Sequence, residues 1–412
     1  MFLGKTRKIT ALCLILAPLF LNLCGAELAG RPGLPSRPGL EVPPYIGNSW
    51  YIGVKRIDAA NVGSDLRLAD GCVCSGHMTA WSDWQPLPVL PPFTATALAE
   101  TLDGGQAFRW NRQADDVWLG LWDDCVARLR MNGGGPLEWS APLEIAERVA
   151  AALPHYLALG IDYTALTDAL PWRSDSQLAT CLDSWRGLRL LRQPFGETLL
   201  CFLCSATKQI VQIKQMAELL AARFGAPICR AGSPNPTGLG ERKLGAPLVE
   251  RVDLNALELA RRGGDKRIHL HRLPTWPELA AARESDLRTC ALGFRARFIW
   301  QTAQFLAARP GWLDETERLP YAAAKERLCL LPGVGEKIAD CVLLFGAGRY
   351  AAFPVDVWII HAMARRYGLG GWTPTQIAHF GRVHFGASAG LAQQYLFASE
   401  RAAGRRSLSR NT

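Results

Sequence analysis

The chain has 412 residues, 49% of them hydrophobic, which leaves room for two or three domains with a sizeable core and excludes an intrinsically disordered chain. Its net charge of +9 favours an anionic partner, and nucleic acid is the obvious one. The 12 cysteines are scattered, which excludes a disulfide-stapled scaffold; Cys201-x2-Cys204 and Cys72-x-Cys74 lack a second half at zinc spacing, and the lack of any cysteine beyond Cys341 excludes an iron–sulfur cluster near the C-terminus.

At the N-terminus, Lys5, Arg7 and Lys8 precede the apolar run Ala11–Leu23 and the small residues Cys24-Gly25-Ala26, the shape of a signal peptide. The run is short and interrupted by proline, which argues against a membrane span. Residues 27–77 are rich in Gly and Pro without periodicity, and Met78 opens the first well-patterned region. Residues 1–77 are therefore either a leader or a mistranslated upstream segment, disordered, with the true start near Met78; the second is expected.

Residues 78–196 read as an antiparallel β domain with a helix. Gln106–Trp110, Val117–Trp122 and Cys125–Arg130 are short aromatic or β-branched runs, and Asp115-Asp116 and Asp123-Asp124 between them read as turns. Glu144–Leu159 predicts a helix that packs on the sheet. Residues 197–404 change to helical periodicity. Glu197–Phe224 holds one long helix or two, and 231–269 is a charged, Gly-rich insertion. Helical patterns resume at Trp276–Cys290, Ala291–Ala308, Tyr321–Leu330, Lys337–Phe345, Asp356–Tyr367, Thr375–Phe385 and Ala389–Ala403, and 405–412 is a frayed basic tail. The fold class is α+β: an N-terminal antiparallel sheet followed by an all-helical region with a helix-hairpin-helix at 321–347.

The chemistry concentrates in Leu330-Leu331-Pro332-Gly333-Val334-Gly335-Glu336-Lys337 and in Asp356, inside Phe353-Pro354-Val355-Asp356-Val357. Gly333 and Gly335 permit a tight turn and close backbone approach, and the helix that follows offers free N–H groups and its positive dipole end to a phosphate. An ordinary helix–turn–helix corner has the same tripeptide. Lys337, in the first helical turn, belongs to a residue type that forms Schiff bases readily, although a solvated surface lysine is its bland alternative. Asp356 starts or caps the next helix; a capped carboxylate stays well positioned and can stabilise an oxocarbenium ion, or it can be a cap and nothing more. Lys337 and Cys341 share a helix face at i, i+4, as do Gln393 and Phe397. A sulfur and an aromatic ring can sandwich a flipped base while an amide reads its edge; core packing explains the same spacing.

Together these residues resemble the 8-oxoguanine DNA glycosylase/AP lyase family of the helix-hairpin-helix–GPD superfamily, over roughly residues 80–403 apart from the insertion. Gly104-Gly105-Gln106-Ala107-Phe108-Arg109-Trp110 and Leu292-Gly293-Phe294-Arg295-Ala296-Arg297 support the likeness. The resemblance implies Lys337 as nucleophile, Asp356 as catalytic carboxylate, Cys341 and Phe397 as the base sandwich and Gln393 as edge reader. It makes the Gly105 carbonyl the acceptor for the N7–H of 8-oxoguanine, where guanine presents an acceptor instead. Phe294 stands where a tyrosine wedge is usual, and Arg295 beside it reads the orphaned cytosine. Gly333, Val334, Gly335, Thr207 and Lys208 complete the DNA contacts. The implied partner is duplex DNA containing oxidised guanine, bound by a monomer with no metal and no cofactor needed for chemistry, in the cytoplasm or nucleoid and without a membrane. Two departures stand out. Thr207, Lys208 and Gln209 replace family asparagines and Gln212 an arginine in the segment that recognises the opposite cytosine, so opposite-base selectivity is expected to be relaxed; Trp358 replaces a common histidine. The alternatives are a monofunctional alkylated-base glycosylase and a non-catalytic helix-hairpin-helix DNA-binding protein.

Overall fold

In the computed structural model, residues 80–131, 134–228 and 270–409 are described. The leader with Met78, the insertion 231–269 and the end of the basic tail lie outside them. The described residues belong to one compact unit.

Five strands among these residues form an antiparallel sheet: β1 (Gln85–Leu87), β2 (Trp110–Arg112), β3 (Trp118–Trp122), β4 (Cys125–Met131) and β5 (Leu137–Ser140), in the order β1-β5-β4-β3-β2. The Asp123-Asp124 pair is a tight turn, as its sequence predicts, pairing Trp122 with Cys125 and holding Asp123 at φ 46°. All of β3 is buried. Gly120 interrupts it because the Trp110 ring lies 2.3 Å from where a Cβ would stand. Trp110 stacks on Trp122 at 6.0 Å and donates its indole N–H to Tyr156 at 3.0 Å, which docks helix α2 (Ala146–Tyr156) on the sheet.

One expected strand is mostly absent. Gly105, at φ 109°, turns the chain inward, so the polar groups of Gln106 meet the 189–193 segment instead of a neighbouring strand. The Gln106 amide donates to the Arg189 carbonyl and accepts from the Leu191 N–H, both at 2.9 Å, while its own carbonyl accepts from Gln193. Only Trp110 of that run enters the sheet. Strands β1 and β5 are too short to show alternation.

The helices α1 (Ala95–Asp103), α3 (Tyr163–Asp168) and α4 (Ser176–Ser184) start on side-chain caps from Thr94, Asp162 and Asp175. The apolar stretch from 197 onward is two helices, α5 (Phe195–Leu203) and α6 (Ile210–Phe224), separated by a turn in which Thr207 takes φ 52°. Trp276–Cys290 is not one helix: α7 (Trp276–Ala281) ends at the extended Ala282, α8 (Glu284–Leu287) follows, and a wide turn with Ala291 and Gly293 at positive φ leads into α9 (Arg295–Ala307). Then come α10 (Trp312–Arg318), α11 (Tyr321–Leu328), α12 (Glu336–Phe345), α13 (Val357–Tyr367), α14 (Pro374–Phe385) and α15 (Ala389–Ser409), the last running past the expected end at Ala403.

Sheet and helices share one core. Arg401 of α15 pairs with buried Glu100 of α1, and Asp175 at the start of α4 accepts from Tyr367 at 2.8 Å and meets His384 at 2.9 Å. Phe202 of α5 stacks on Phe345 of α12 at 5.6 Å and meets Phe108 edge-on at 5.4 Å. This aromatic junction fixes α5 against α12, the helix that starts with the hairpin.

Candidate active site

Helices α11 and α12 are joined by Cys329–Gly335. Gly333 stands at φ 78°, and a Cβ there would lie 2.8 Å from Phe298 of α9, so both backbone and packing demand glycine. The Thr302 hydroxyl donates to the Pro332 carbonyl at 3.2 Å, fixing the turn to α9. The Val334 N–H closes the turn on the Leu331 carbonyl at 3.1 Å and its side chain is buried, so this residue builds the hairpin and does not present its N–H outward. Gly335 caps α12, is exposed and faces open space. The helix N-terminus it opens is the surface a phosphate can approach. Asp340 staples the hairpin from within, accepting from Tyr321 at 2.7 Å and Lys325 at 3.1 Å; burial raises its carboxyl above the ordinary range.

Lys337, half-buried in the first turn of α12, points its Nζ toward the Ser205 hydroxyl at 3.4 Å and over the Phe202 ring at 5.6 Å. Asp356 caps α13, accepting from the Ile359 N–H at 2.9 Å. Burial raises the Asp356 carboxyl above its usual range; the Ile359 N–H and the Lys337 charge partly offset that. Burial also pushes the Cys341 thiol up to about 12 against the pull of Lys337, so the sulfur is a neutral, polarizable wall. Lys337, Cys341 and Asp356 thus share one electrostatic neighbourhood.

The remaining base-site residues adjoin it. Gln393 is buried; its amide donates to the Pro354 carbonyl at 3.0 Å, two residues before Asp356, and accepts from Gln394 at 2.8 Å. A Cβ on Gly105 would lie 3.0 Å from Ile210 and 3.8 Å from the Phe397 ring, so the Gly105 turn, α6 and α15 converge on one wall.

The residues expected to read the strands are placed differently from one another. Phe294 is 54% exposed, just before α9, as a wedge requires. Arg295, expected to reach an orphaned base, is buried. Its guanidinium donates to the Ala206 carbonyl, to the Thr207 hydroxyl at 3.0 Å and to the Leu292 carbonyl at 3.2 Å, and lies 4.4 Å from the Phe294 ring centroid. Thr207 is exposed but engaged by Arg295; Lys208 is half-buried, its N–H on the Ser205 carbonyl at 3.2 Å. Gln212 turns back to accept the Gln209 N–H at 3.2 Å. Sequence reasoning missed Ser205 and Phe202 beside Lys337, and Ile210 beside Gly105. No spacing marks them, because they face the site only through the α5–α6 turn.

A small antiparallel sheet leading into a helical region, with a phosphate-ready hairpin and a lysine and carboxylate at neighbouring helix starts, defines a DNA glycosylase of the helix-hairpin-helix class. The model of the 8-oxoguanine DNA glycosylase N-terminal domain matches residues 90–199. The chain is 28% identical over 338 residues to the N-glycosylase/DNA lyase OGG1 of Arabidopsis thaliana, covering 79% of this chain and 82% of that protein. It is 30% identical over 249 residues to a probable N-glycosylase/DNA lyase of Methanothermobacter thermautotrophicus, covering 58% of this chain and 72% of the relative. Clostridium acetobutylicum 8-oxoguanine glycosylase/lyase superposes at 28% identity with a TM-score of 0.59 in its apo-form, over 73% of this chain and 92% of the other, and of 0.60 in complex with double-stranded DNA containing cytosine opposite 8-oxoG, over 74% and 92%. The chain belongs to the 8-oxoguanine DNA glycosylase/AP lyase family.

Proposed function

We propose that the enzyme removes 8-oxoguanine from duplex DNA and then cleaves the strand at the resulting abasic site. The observation that carries this reading is that Lys337 and Asp356 stand at two helix N-termini, with the Lys337 charge acting on the Asp356 carboxyl, in a chain of this family. In the proposed sequence Phe294 enters the stack and the damaged nucleotide swings out, at a cost of a few kcal/mol that the base pocket and phosphate contacts offset. Lys337 attacks C1′ through its nitrogen lone pair, and the glycosidic bond breaks with its electrons passing to the departing base. Asp356 stabilises the positive charge that develops on the sugar. The nitrogen gives up a proton and the ring oxygen, taking one, leaves C1′ to give a Schiff base; loss of a C2′ proton then drives the β-elimination that expels the 3′ phosphate. The Gly105 carbonyl and the Gln393 amide discriminate the oxidised base; binding it requires Gln393 to exchange or share its bond to Pro354.

Opposite-base selectivity is relaxed in this reading. Arg295, Thr207 and Gln212 each spend polar atoms on internal partners, which leaves Lys208, a point charge without base-pair specificity, at that surface. Borohydride trapping on 8-oxoguanine duplexes with each of the four bases opposite tests both claims. A covalent adduct lost in Lys337→Gln, and formed with similar efficiency across the four duplexes, is the expected result. Base release without any adduct refutes the lyase chemistry, and strong preference for cytosine refutes the relaxed selectivity.

A further inference from the structure

The Ser205 hydroxyl sits in the turn after α5, buried, with its hydrogen committed: it donates to the Phe202 carbonyl at 2.7 Å. A hydroxyl has one hydrogen and two lone pairs, so what it offers the Lys337 Nζ at 3.4 Å is acceptance only. We propose that Ser205 is the positioning residue for the Lys337 amine, fixing one N–H so that the nitrogen lone pair is turned away from the protein toward the sugar; this rests on Lys337 being the nucleophile. An acceptor of this kind serves the ammonium and the neutral amine alike, so the amine keeps its place as it loses its proton. When the C–N bond forms, the nitrogen gains positive charge and its remaining N–H binds Ser205 more strongly, which favours the transition state over the ground state. A loose contact of this length tightens as substrate fills a catalytic site.

The surroundings hold Ser205 where this role needs it. Its own N–H donates to the Phe202 carbonyl at 3.0 Å and its carbonyl accepts from Lys208 at 3.2 Å. Arg295 clamps the next two residues, at the Ala206 carbonyl and the Thr207 hydroxyl. Phe202, one turn earlier, presents its face to the same Nζ and is itself fixed by Phe345 and Phe108. The helix that starts beside the exposed Phe294 is therefore linked, through Arg295 and the 205–207 turn, to the atom that holds the nucleophile.

The test uses the full chain with Ser205→Ala, Ser205→Cys, which keeps volume but accepts poorly, and Ser205→Thr, which keeps the hydroxyl. Single-turnover base release from an 8-oxoguanine duplex and borohydride trapping on a preformed abasic duplex are measured beside equilibrium affinity for the abasic duplex. Ala and Cys are expected to slow both reactions about ten-fold, the size of one lost hydrogen bond to a group gaining charge, with affinity unchanged and Thr restoring the rate. Loss of the hydroxyl leaves no orphan at Phe202, whose carbonyl retains the Ser205 N–H. Wild-type rates in both Ala and Cys overturn the proposal, as does a slowdown matched by lost affinity or not restored by Thr. An unmutated protein that forms no adduct on the abasic duplex removes the nucleophile reading itself, a different failure from an active protein indifferent to Ser205.

Discussion

Gly333→Ala separates the architecture of the hairpin from its contact with DNA. At φ 78° an L-residue pays a left-handed penalty of roughly 1–2 kcal/mol. The added methyl would also stand 2.8 Å from both Cβ and Cγ of Phe298, and the Cβ is fixed to α9 so that no rotamer change removes the clash. Overpacking of this sort costs about 1–3 kcal/mol. The two contributions give ~2–5 kcal/mol, a fall in melting temperature of ~3–7 °C for a protein of this size. Gly335→Ala is the matched control. Its φ of −96° suits any residue and its Cβ enters open space, so only a modest capping loss of ~1 kcal/mol is expected in stability. On the proposed reading that open space is where a phosphate approaches the helix start, and the methyl is expected to lower duplex affinity by about five-fold or more. Thermal unfolding of both variants, with fluorescence anisotropy on an abasic duplex over a salt series, reads the two effects separately. A Gly333→Ala protein that melts within about a degree of wild type refutes the packing argument. A Gly335→Ala protein with undiminished affinity refutes the assignment of the α12 N-terminus as the phosphate site.

Asp356→Asn keeps the α13 cap, since asparagine caps as well as aspartate, but removes the charge. Single-turnover base release should fall about 10²–10³-fold while the melting temperature at neutral pH stays level or rises, because burial raises this carboxyl and makes its ionised form a cost to folding. The stability contributed by the protonated form is present at low pH and lost as pH rises through the raised value. The rate runs the other way: protonation removes the charge that steadies the sugar, so the wild-type acid limb from this group should lie above the ordinary carboxylate range and be missing from the variant; a parallel acid limb in both would exclude Asp356 as its source. Thr207→Asn places a residue tolerant of positive φ where β-branched threonine sits at 52°, and its amide oxygen can still accept from Arg295. A gain of ~1 kcal/mol is expected by urea titration, and a loss would show that the turn is not strained. Burial pushes Glu197 from 4.5 up to about 7, and its carboxylate accepts the Asp123 N–H in the β3–β4 turn. Its contribution to stability is full below about 4.5 and gone as pH rises past about 7. Glu197→Gln should flatten the urea midpoint between those values; equal slopes in both proteins would assign the pH dependence elsewhere.

What could be read from the chain alone follows physical lines. The helix starts that carry Lys337 and Asp356 were identifiable because each is tied to a backbone event that sequence announces: a Gly-Val-Gly turn opening an apolar helix, and a proline-led entry into the next. The α+β order was visible for the same reason, as a change of period, whereas the 197–224 pattern fitted one helix or two. The strand expected at Gln106 was not, because one glycine at φ 109° redirects its polar groups to a segment more than 80 residues away, and no local pattern encodes that partner. Arg295 shows the harder case. Its place after Phe294 was correct, yet whether a guanidinium faces solvent or the protein depends on acceptors from another helix, here the Ala206 carbonyl and the Thr207 hydroxyl. Thr207 takes a left-handed conformation in the turn that presents both acceptors, and its hydroxyl is one of the groups that hold the arginine inside. Thr207 and the buried Arg295 are thus coupled at one turn, and a substitution at position 207 that removes the acceptor should loosen Arg295. The same clamp sets the turn that carries Ser205, which places the nucleophile's neighbour and the opposite-strand surface on one short stretch of backbone.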